Sequence, residues 1–456
     1  MRGAVSAPRA LLVLGLVAAG SAACGGDEPP AFTRDQLLDP QSCSQCHQRH
    51  YDEWAGSMHA YAGDDPVFLA MNQRGQEETQ GALGDFCVQC HAPMALREGL
   101  TTDGLNLGEV PQKYKGVTCY FCHSVDAVEG SHNNPLRLAD DLVMRGGIRE
   151  PVDNTAHAAA YSPLLDRSDP TSSTMCGSCH DIVLDNGVHL ERTFAEWKES
   201  LFGNGSAGGL SCGNCHMTGD SDTVANVEGV PLREVHDHRM PGVDVAITPW
   251  AFRDEHVDEV KAELKGTLVG QLCTSPPLAE SELEVILENA FAGHSFPSGA
   301  AQDRRAWVDV KAWDDSDQLI FESGVVQAGQ PVAELADPNL WLFRDTVFKD
   351  DGSEAHMFWD VTDLSSNLLG QATTNDPGEV HAQTRIFAVP LTDGVPVRAS
   401  VRVYVRPMGL EVLQDLVDSG HLAASFLAEI PTFEVIGNID WSLDEDGYGC
   451  VPEGVF

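Results

Sequence analysis

The chain has 456 residues, and its 69 acidic side chains outnumber its 28 Lys and Arg side chains, which gives a formal net charge of −41 at pH 7. Such a charge opposes binding to nucleic acid or anionic membrane and favours cationic partners, although acidity also serves solubility alone. The composition is that of a soluble globular protein, and the length predicts two domains rather than one hydrophobic core.

The first 24 residues have the pattern of an export signal. Arg2 and Arg9 precede an apolar stretch at 11–19 and small residues at 20–23, which lead to Cys24. The pattern resembles a bacterial lipoprotein signal, which predicts acylation of Cys24 and a polar tether over 25–40. Ordinary secretion is the alternative. Both routes lead to the periplasm, the outer membrane or the cell surface, with the lipid as the only predicted membrane attachment.

Five copies of Cys-x-x-Cys-His follow, spread over residues 43–216. The motif is typical of c-type haem attachment, in which both cysteines form thioethers and the histidine becomes the proximal iron ligand. A single copy could instead be a zinc half-site or a redox pair, but five complete copies predict five covalent haems. The predicted attachment and proximal residues are Cys43, Cys46 and His47; Cys87, Cys90 and His91; Cys119, Cys122 and His123; Cys176, Cys179 and His180; and Cys212, Cys215 and His216.

The predicted haem domain, residues 41–250, contains little that looks like an ordinary apolar core. Short helical stretches such as 195–199 alternate with loops such as the Gly-rich segment 204–209. The porphyrins are therefore expected to supply much of the interior and to lie close together. Without haem, this domain is expected to be largely disordered, as a small metal-binding domain is without its metal.

Several segments of this domain resemble the multihaem cytochromes related to cytochrome c-554. The resemblance rests on residues 51–60, 176–181, 193–197 and 212–217. It implies that His59, in a Ser-x-His-Ala element, is the sixth ligand of a haem other than the one just before it, with His50 as the competing neighbour. It also implies that His157 is a sixth ligand. The chain has five attachment motifs where the tetrahaem members have four, so ligand assignments do not transfer as a set.

Local context suggests three further sixth ligands. His238 and His294 each begin a phrase with a nearby proline and glycine, and a rigid turn would fix the direction of an imidazole. His236 is the alternative to His238. His132 lies in a turn-rich loop and is either a ligand or an exposed residue. The nearby methionines are interpreted as packing residues rather than ligands: Met58, Met94, Met217 and Met240.

The pattern of apolar and polar residues changes in the second half of the sequence. Residues 251–279 are predicted to be a linker and 280–456 an antiparallel β-sandwich, because alternating apolar and polar runs recur at 283–288, 306–313, 319–322, 383–389 and 397–405. Segment 390–394 predicts a hairpin turn and 410–427 a helix. Cys273 and Cys450 form a disulfide or remain free thiols. The fold class is therefore α+β, a mostly helical and loop haem domain followed by a β-sandwich.

Two functions remain open at this point. The first is a pentahaem electron-transfer cytochrome with mainly bis-histidine irons, whose partners are other redox proteins with basic docking surfaces, or further copies in a haem chain. The second is a multihaem oxidoreductase in which one open haem acts on a small nitrogen or sulfur compound. No catalytic residue and no nucleic-acid partner are predicted.

Overall fold

A computed structural model describes residues 31–374 and 381–453 of the chain. The predicted signal segment, Cys24 and the first part of the tether lie outside the described residues. The rest of the tether contains a short helix, Arg34–Leu37, which begins with a capping box between Thr33 and Gln36. No helix among the described residues is long and apolar enough to cross a membrane.

The helices of the described residues lie mainly in the first half of the chain. In chain order they are α1 Arg34–Leu37, α2 Pro40–Cys43, α3 Gln48–Gly56, α4 Met58–Tyr61, α5 Pro66–Glu78, α6 Val88–His91, α7 Pro93–Arg97, α8 Cys119–Ser124, α9 Ser173–Gly177, α10 Thr193–Glu199, α11 Cys212–His216, α12 Arg253–Leu264, α13 Leu410–Asp418 and α14 Leu443–Asp446. Single 3₁₀ turns occupy Leu107–Glu109, Gln112–Tyr114, Pro163–Leu165, Pro170–Ser172, Phe358–Asp360 and Ala424–Ala428.

Strands in the first half are short and form two-stranded pairs, whereas strands in the second half are longer and form sheets. In chain order they are β1 Val125–Val128, β2 Leu136–Leu138, β3 Val143–Gly146, β4 Ala158–Tyr161, β5 Ile182–Val183, β6 His189–Glu191, β7 Gly219–Thr223, β8 Leu232–His236, β9 Val269–Thr274, β10 Glu280–Glu288, β11 Arg305–Trp313, β12 Leu319–Ser323, β13 Trp341–Phe343, β14 Asp345–Phe348, β15 Asp363–Ser366, β16 Ala382–Pro390, β17 Arg398–Arg406, β18 Phe433–Ser442 and β19 Gly449–Pro452.

Two antiparallel sheets enclose the main core of the β-rich part. One sheet has the order β16-β10-β9-β19, and the other has the order β12-β11-β17-β18 with β13 beside β11. Strand β10 shows why they pack, since its burial alternates along the strand with Leu283, Val285 and Leu287 inside. These side chains share one apolar cluster with Val308, Val403 and residues of the facing sheet. The mixed α+β class and the β-rich second half are thus confirmed.

Three details of this part differ from the sequence-based expectation. Segment 390–394 joins β16 to β17, which lie in different sheets, so it is a crossover between sheets and not a hairpin turn. The expected linker, 251–279, contains α12 and β9, and β9 pairs with both β10 and β19. The expected helix over 410–427 ends at Asp418, and a 3₁₀ turn follows at Ala424–Ala428. Gly420 has a φ of 80°, a conformation that glycine adopts readily and that follows the end of this helix.

The two ends of the β-rich part are joined covalently. Cys273 in β9 and Cys450 in β19 face each other in register and form a disulfide. The bond closes a stretch of 177 residues in sequence. Such a link stabilises a fold mainly by restricting the unfolded chain. The disulfide alternative is therefore the one that the structure contains.

The first half has a smaller apolar interior, divided into patches. One cluster joins Leu37, Met94 and Phe121, and another joins Phe68 and Val88. Helix α5 also packs against α13 of the second half through Val67 and other apolar residues. The haem-motif region therefore packs against the β-rich part.

Candidate haem centres

Short helices present the attachment motifs. Helix α8 begins at Cys119 because the Thr118 hydroxyl accepts the N–H of Phe121, 3.4 Å away. Helix α11 begins at Cys212 in the same way, with a capping box between Ser211 and Asn214. One helical turn then separates the two cysteines of a motif, and the histidine follows directly. The cap thus fixes where the helix begins at the third and fifth motifs, whereas the helices that contain Cys90 and Cys176 begin without a side-chain cap.

Four of the five proximal histidines face a second histidine from a distant part of the chain. Each facing residue is one that the sequence predicted as a sixth ligand, and each pairs with a different motif. The ring centroids are 6.2 Å apart for His47 and His157, 6.4 Å for His123 and His238, 6.2 Å for His180 and His59, and 6.3 Å for His216 and His294.

This spacing fits one metal ion between each pair of rings. An imidazole nitrogen lies about 2 Å from a bound metal, and the ring centre lies roughly one ångström further out, so two opposed rings stand about 6 Å apart. The residues present therefore fit a haem with two axial histidines. A haem held in this way supplies one-electron redox chemistry at a saturated iron.

Hydrogen bonds leave one ring nitrogen of most of these histidines free for a metal. The Nδ1–H donates to a backbone carbonyl oxygen, which fixes the tautomer and leaves Nε2 as the nitrogen that can bind a metal. Seven histidines share this arrangement, with distances between 2.5 and 3.3 Å: His47, His91, His123, His157, His216, His238 and His294.

Burial keeps five of the paired imidazoles neutral, which is the form that binds a metal. It lowers the pKa of His47 and His180 to about 4, and that of His238 to about 3. His59 and His294 have a pKa of about 4 for the same reason, since an imidazolium is poorly solvated there. The electrostatics and the ring spacing therefore agree.

Cysteines of different motifs lie side by side, which shows which sites are neighbours. Cys43 lies beside Cys119, so the first and third motifs are neighbours. Cys90 contacts Cys179 in the same way, which joins the second and fourth motifs. Cys176 likewise lies beside Cys212 of the fifth motif, and Cys122 of the third motif is near enough to Cys179 for their charges to interact.

The second motif is different from the other four. The ring of Phe68 stacks on that of His91 with centroids 4.1 Å apart and planes 4° apart, too close for a metal between them. Within residues 31–374 and 381–453, no histidine faces His91 at the spacing of the four pairs. His132, the remaining predicted ligand, lies in an exposed turn with Nδ1 3.2 Å from the Ser131 hydroxyl. Ligation by His132 stays a prediction.

Sequence reasoning named His50 as a competing neighbour and overlooked the carboxylate beside it. Glu53 is buried, and its oxygens accept from Arg49 Nε at 2.7 Å and from the backbone N–H of His238 at 3.1 Å. His50 Nδ1 lies 3.3 Å from the same carboxylate, and its ring is 4.7 Å from that of His238. The backbone carbonyl oxygen of His236 accepts a hydrogen bond from the ring of His238. Among the described residues, the His236 ring makes no ring contact with His238. Only the helical spacing of Arg49 and Glu53 could have suggested this network.

A second residue that sequence reasoning missed is Arg304. Its Nε donates to the Ser298 carbonyl oxygen at 2.6 Å and its Nη2 to Asp244 at 2.9 Å. Its Nη1 is buried and has no partner among the described residues, and its charge acts on both His180 and His294. A carboxylate of a haem propionate is the kind of group that such a guanidinium pairs with. No sequence motif marks this position.

Comparisons with known proteins agree with this picture. Residues 42–124 match the family model described as cytochrome c554 and c-prime. No curated protein matches the chain. A penta-haem cytochrome c552 from Thermochromatium tepidum has a similar structure, with a TM-score of 0.60 and 20% sequence identity over 89% of this chain and 99% of that one. The family match at residues 42–124, the shared fold and the attachment motifs agree with one another, and the chain resembles the multihaem cytochromes related to cytochrome c-554.

Proposed function

We propose that this cytochrome carries five c-type haems and transfers electrons along them outside the cytoplasm. The observation that carries the proposal is the set of four histidine pairs, each of which contains one motif histidine. A saturated iron with two histidines exchanges electrons without binding substrate, so this arrangement favours a carrier. The proximity of attachment cysteines from different motifs supports electron transfer between centres, because neighbouring sites lie side by side.

In this proposal the chain is anchored at the cell envelope through Cys24 and meets redox partners with basic docking surfaces. The net charge of −41 supports an association that is steered by charge and weakens with salt. The export pattern of residues 1–24 supports the location. Electrons would enter and leave at centres on the surface.

The test combines a haem count with one ligand variant in the haem-loaded protein. We expect five haems per chain by haemochrome absorbance and intact mass. In His294→Ala, one low-spin centre should become high-spin, since His216 would lose the ring 6.3 Å away. Added imidazole should restore the low-spin spectrum. His189→Ala is the matched control, because His189 lies exposed in β6.

Two outcomes would contradict the proposal. A count of four or fewer haems would remove one attachment site. An unchanged spectrum in His294→Ala would mean that the β-rich part supplies no ligand.

A second function is favoured by one observation, the environment of His91. Phe68 packs on this ring and no described histidine faces it, so a haem there would have one protein ligand. An open iron binds small molecules and can act on them. This supports the oxidoreductase alternative, with the second motif as the reactive site. Carbon monoxide binding by the reduced protein at one haem favours this function, and no binding at any haem excludes it.

A further inference from the structure

The pair His59 and His180 differs from the other histidine pairs in its hydrogen bonds. The Nδ1 of His59 lies 3.1 Å from the sulfur of Met240 instead of a carbonyl oxygen. The ring of His180 has no hydrogen bond to any residue within 31–374 or 381–453. Every other proximal or facing histidine described above donates to a backbone carbonyl oxygen. Both exceptions therefore meet at one centre, the fourth motif.

This difference changes how much electron density the imidazole ligands donate to the iron. A strong acceptor at Nδ1–H makes the imidazole a more basic ligand, which stabilises the oxidised iron. A thioether sulfur is only a weak acceptor. An iron held by His59 and His180 thus has less basic ligands than the others, and its reduced state is favoured by comparison.

A buried positive charge acts in the same direction. Arg304 lies near His180, and its side chain is 12% exposed. Its partner Asp244 offsets part of that charge at 2.9 Å. The second guanidinium nitrogen, Nη1, stays without a described partner. Glu191 and Asp303 also act on this guanidinium, so the hydrogen bonds at His59 and His180 decide the order of the potentials.

The fourth motif also has the largest number of neighbouring motifs. Cys179 contacts Cys90 of the second motif and lies near Cys122 of the third, and Cys176 contacts Cys212 of the fifth. Three of the other four motifs therefore have a described cysteine next to the fourth. A favourable potential at this position would collect electrons from all of them.

We infer that the centre of Cys176, Cys179, His180 and His59 has the highest reduction potential of the four paired centres and holds the first electron that enters them. Met240 is the positioning residue that sets this potential, through its sulfur at His59 Nδ1. The inference rests on the proposed function, since it requires haem at these sites.

The centre can be recognised by its own spectrum. The planes of His59 and His180 are 66° apart, whereas the other three pairs have angles of 35°, 19° and 10°. Crossed imidazole planes leave two iron orbitals closer in energy than parallel planes do, so the oxidised centre gives the most anisotropic low-spin resonance. This signal should be the first of the low-spin signals to vanish in a reductive titration.

The test is Met240→Gln in the haem-loaded full chain. Glutamine is unbranched like methionine, so the positive φ of 47° at this position bears a similar side chain in both. Its amide oxygen is a strong acceptor for His59. We expect about a tenfold fall in the ratio of reduced to oxidised iron at a fixed potential, which is 59 mV for a one-electron couple. Met240→Leu, which has no acceptor, should show no such fall.

The matched control is Met408→Gln, the same change at a half-buried methionine packed in the cluster around α13. It should leave every centre unchanged. The inference is overturned if Met240→Gln leaves the titration unchanged, if Met240→Leu lowers the potential equally, or if the anisotropic signal is not the first to vanish. A missing haem, or a high-spin centre at any motif other than the second, in the unmodified protein would instead refute the proposed function.

Discussion

Residues 31–250 and residues 251–453 build their interiors in different ways. The main apolar cluster has 27 buried residues, of which all but Val245 belong to the second region, and most of them come from two sheets and helix α12. The first region has clusters of seven and six buried residues, and its strands have two to five residues. Since an apolar core is the main source of folding free energy, the first region needs another source. The four histidine pairs and the attachment cysteines indicate that haem provides it.

The largest expected effect is the loss of folded structure in the first region while the second region stays folded. When the chain is produced without haem attachment, residues 31–250 should lose their protection from hydrogen exchange, because each motif then lacks the group around which it packs. The sheets of residues 269–452 should keep theirs. Hydrogen exchange read by mass spectrometry separates the two regions, with the haem-loaded chain as the control. Equal protection of both regions would mean that the first region has a sufficient core of its own.

The next effect concerns the β-rich core alone. Phe387 is 1% exposed in β16, and its replacement by alanine should cost about 3–5 kcal/mol of unfolding free energy. Its neighbour Ile386 points to the other face and is 55% exposed, so Ile386→Ala should change little. Denaturant unfolding followed by tryptophan fluorescence measures both. Equal costs for the two variants would argue against the observed register of β16.

A slightly smaller effect is expected from the disulfide. Replacing Cys273 and Cys450 by serine should cost about 2–4 kcal/mol, because the unfolded chain regains the freedom that the bond removes. The haem absorbance spectrum should stay as it is, since both cysteines lie outside the motifs. Thermal unfolding recorded at a haem band and at a far-ultraviolet band separates the regions. A haem spectrum altered by this double replacement would show that the regions do not fold independently.

The smallest effect distinguishes the regions by their dependence on haem. Thr118→Ala removes the cap of helix α8 and should cost about 1 kcal/mol in the haem-loaded protein. It should cost nothing measurable without haem, because the helix is then not formed. Thr118→Ser retains the hydroxyl and serves as the control. An equal cost with and without haem would place a stable α8 in the haem-free chain.

The residues of the candidate site could be named from local patterns in the sequence, whereas the strand pairings that position them could not. The Cys-x-x-Cys-His spacing is a local pattern, so all five motifs were evident. His294 could be named because its proline and glycine neighbours mark a fixed turn, and the structure places its ring opposite His216. The partner of each ring was not predictable, since it depends on contacts between residues far apart in sequence. Met240 and Arg304 were missed as site residues for the same reason, as neither lies in a motif.

In the β-rich part, alternation predicted the strands but not the sheet to which each belongs. The turn after β16 has hairpin residues, yet the strands on either side pair with β10 and β11 in opposite sheets. Strand β9 was assigned to a linker because it lacks a regular alternation of apolar and polar residues. Its last three residues, which include the cysteine and the threonine, are all buried. Tertiary packing decides both points, and it leaves no local signal.

The central claim is that four of the haem sites have histidine on both sides. Electron paramagnetic resonance of the oxidised, haem-loaded protein tests it most directly, because it counts low-spin and high-spin irons. The account predicts four low-spin centres per chain from the pairs of His47, His123, His180 and His216. Fewer than four low-spin centres would contradict it.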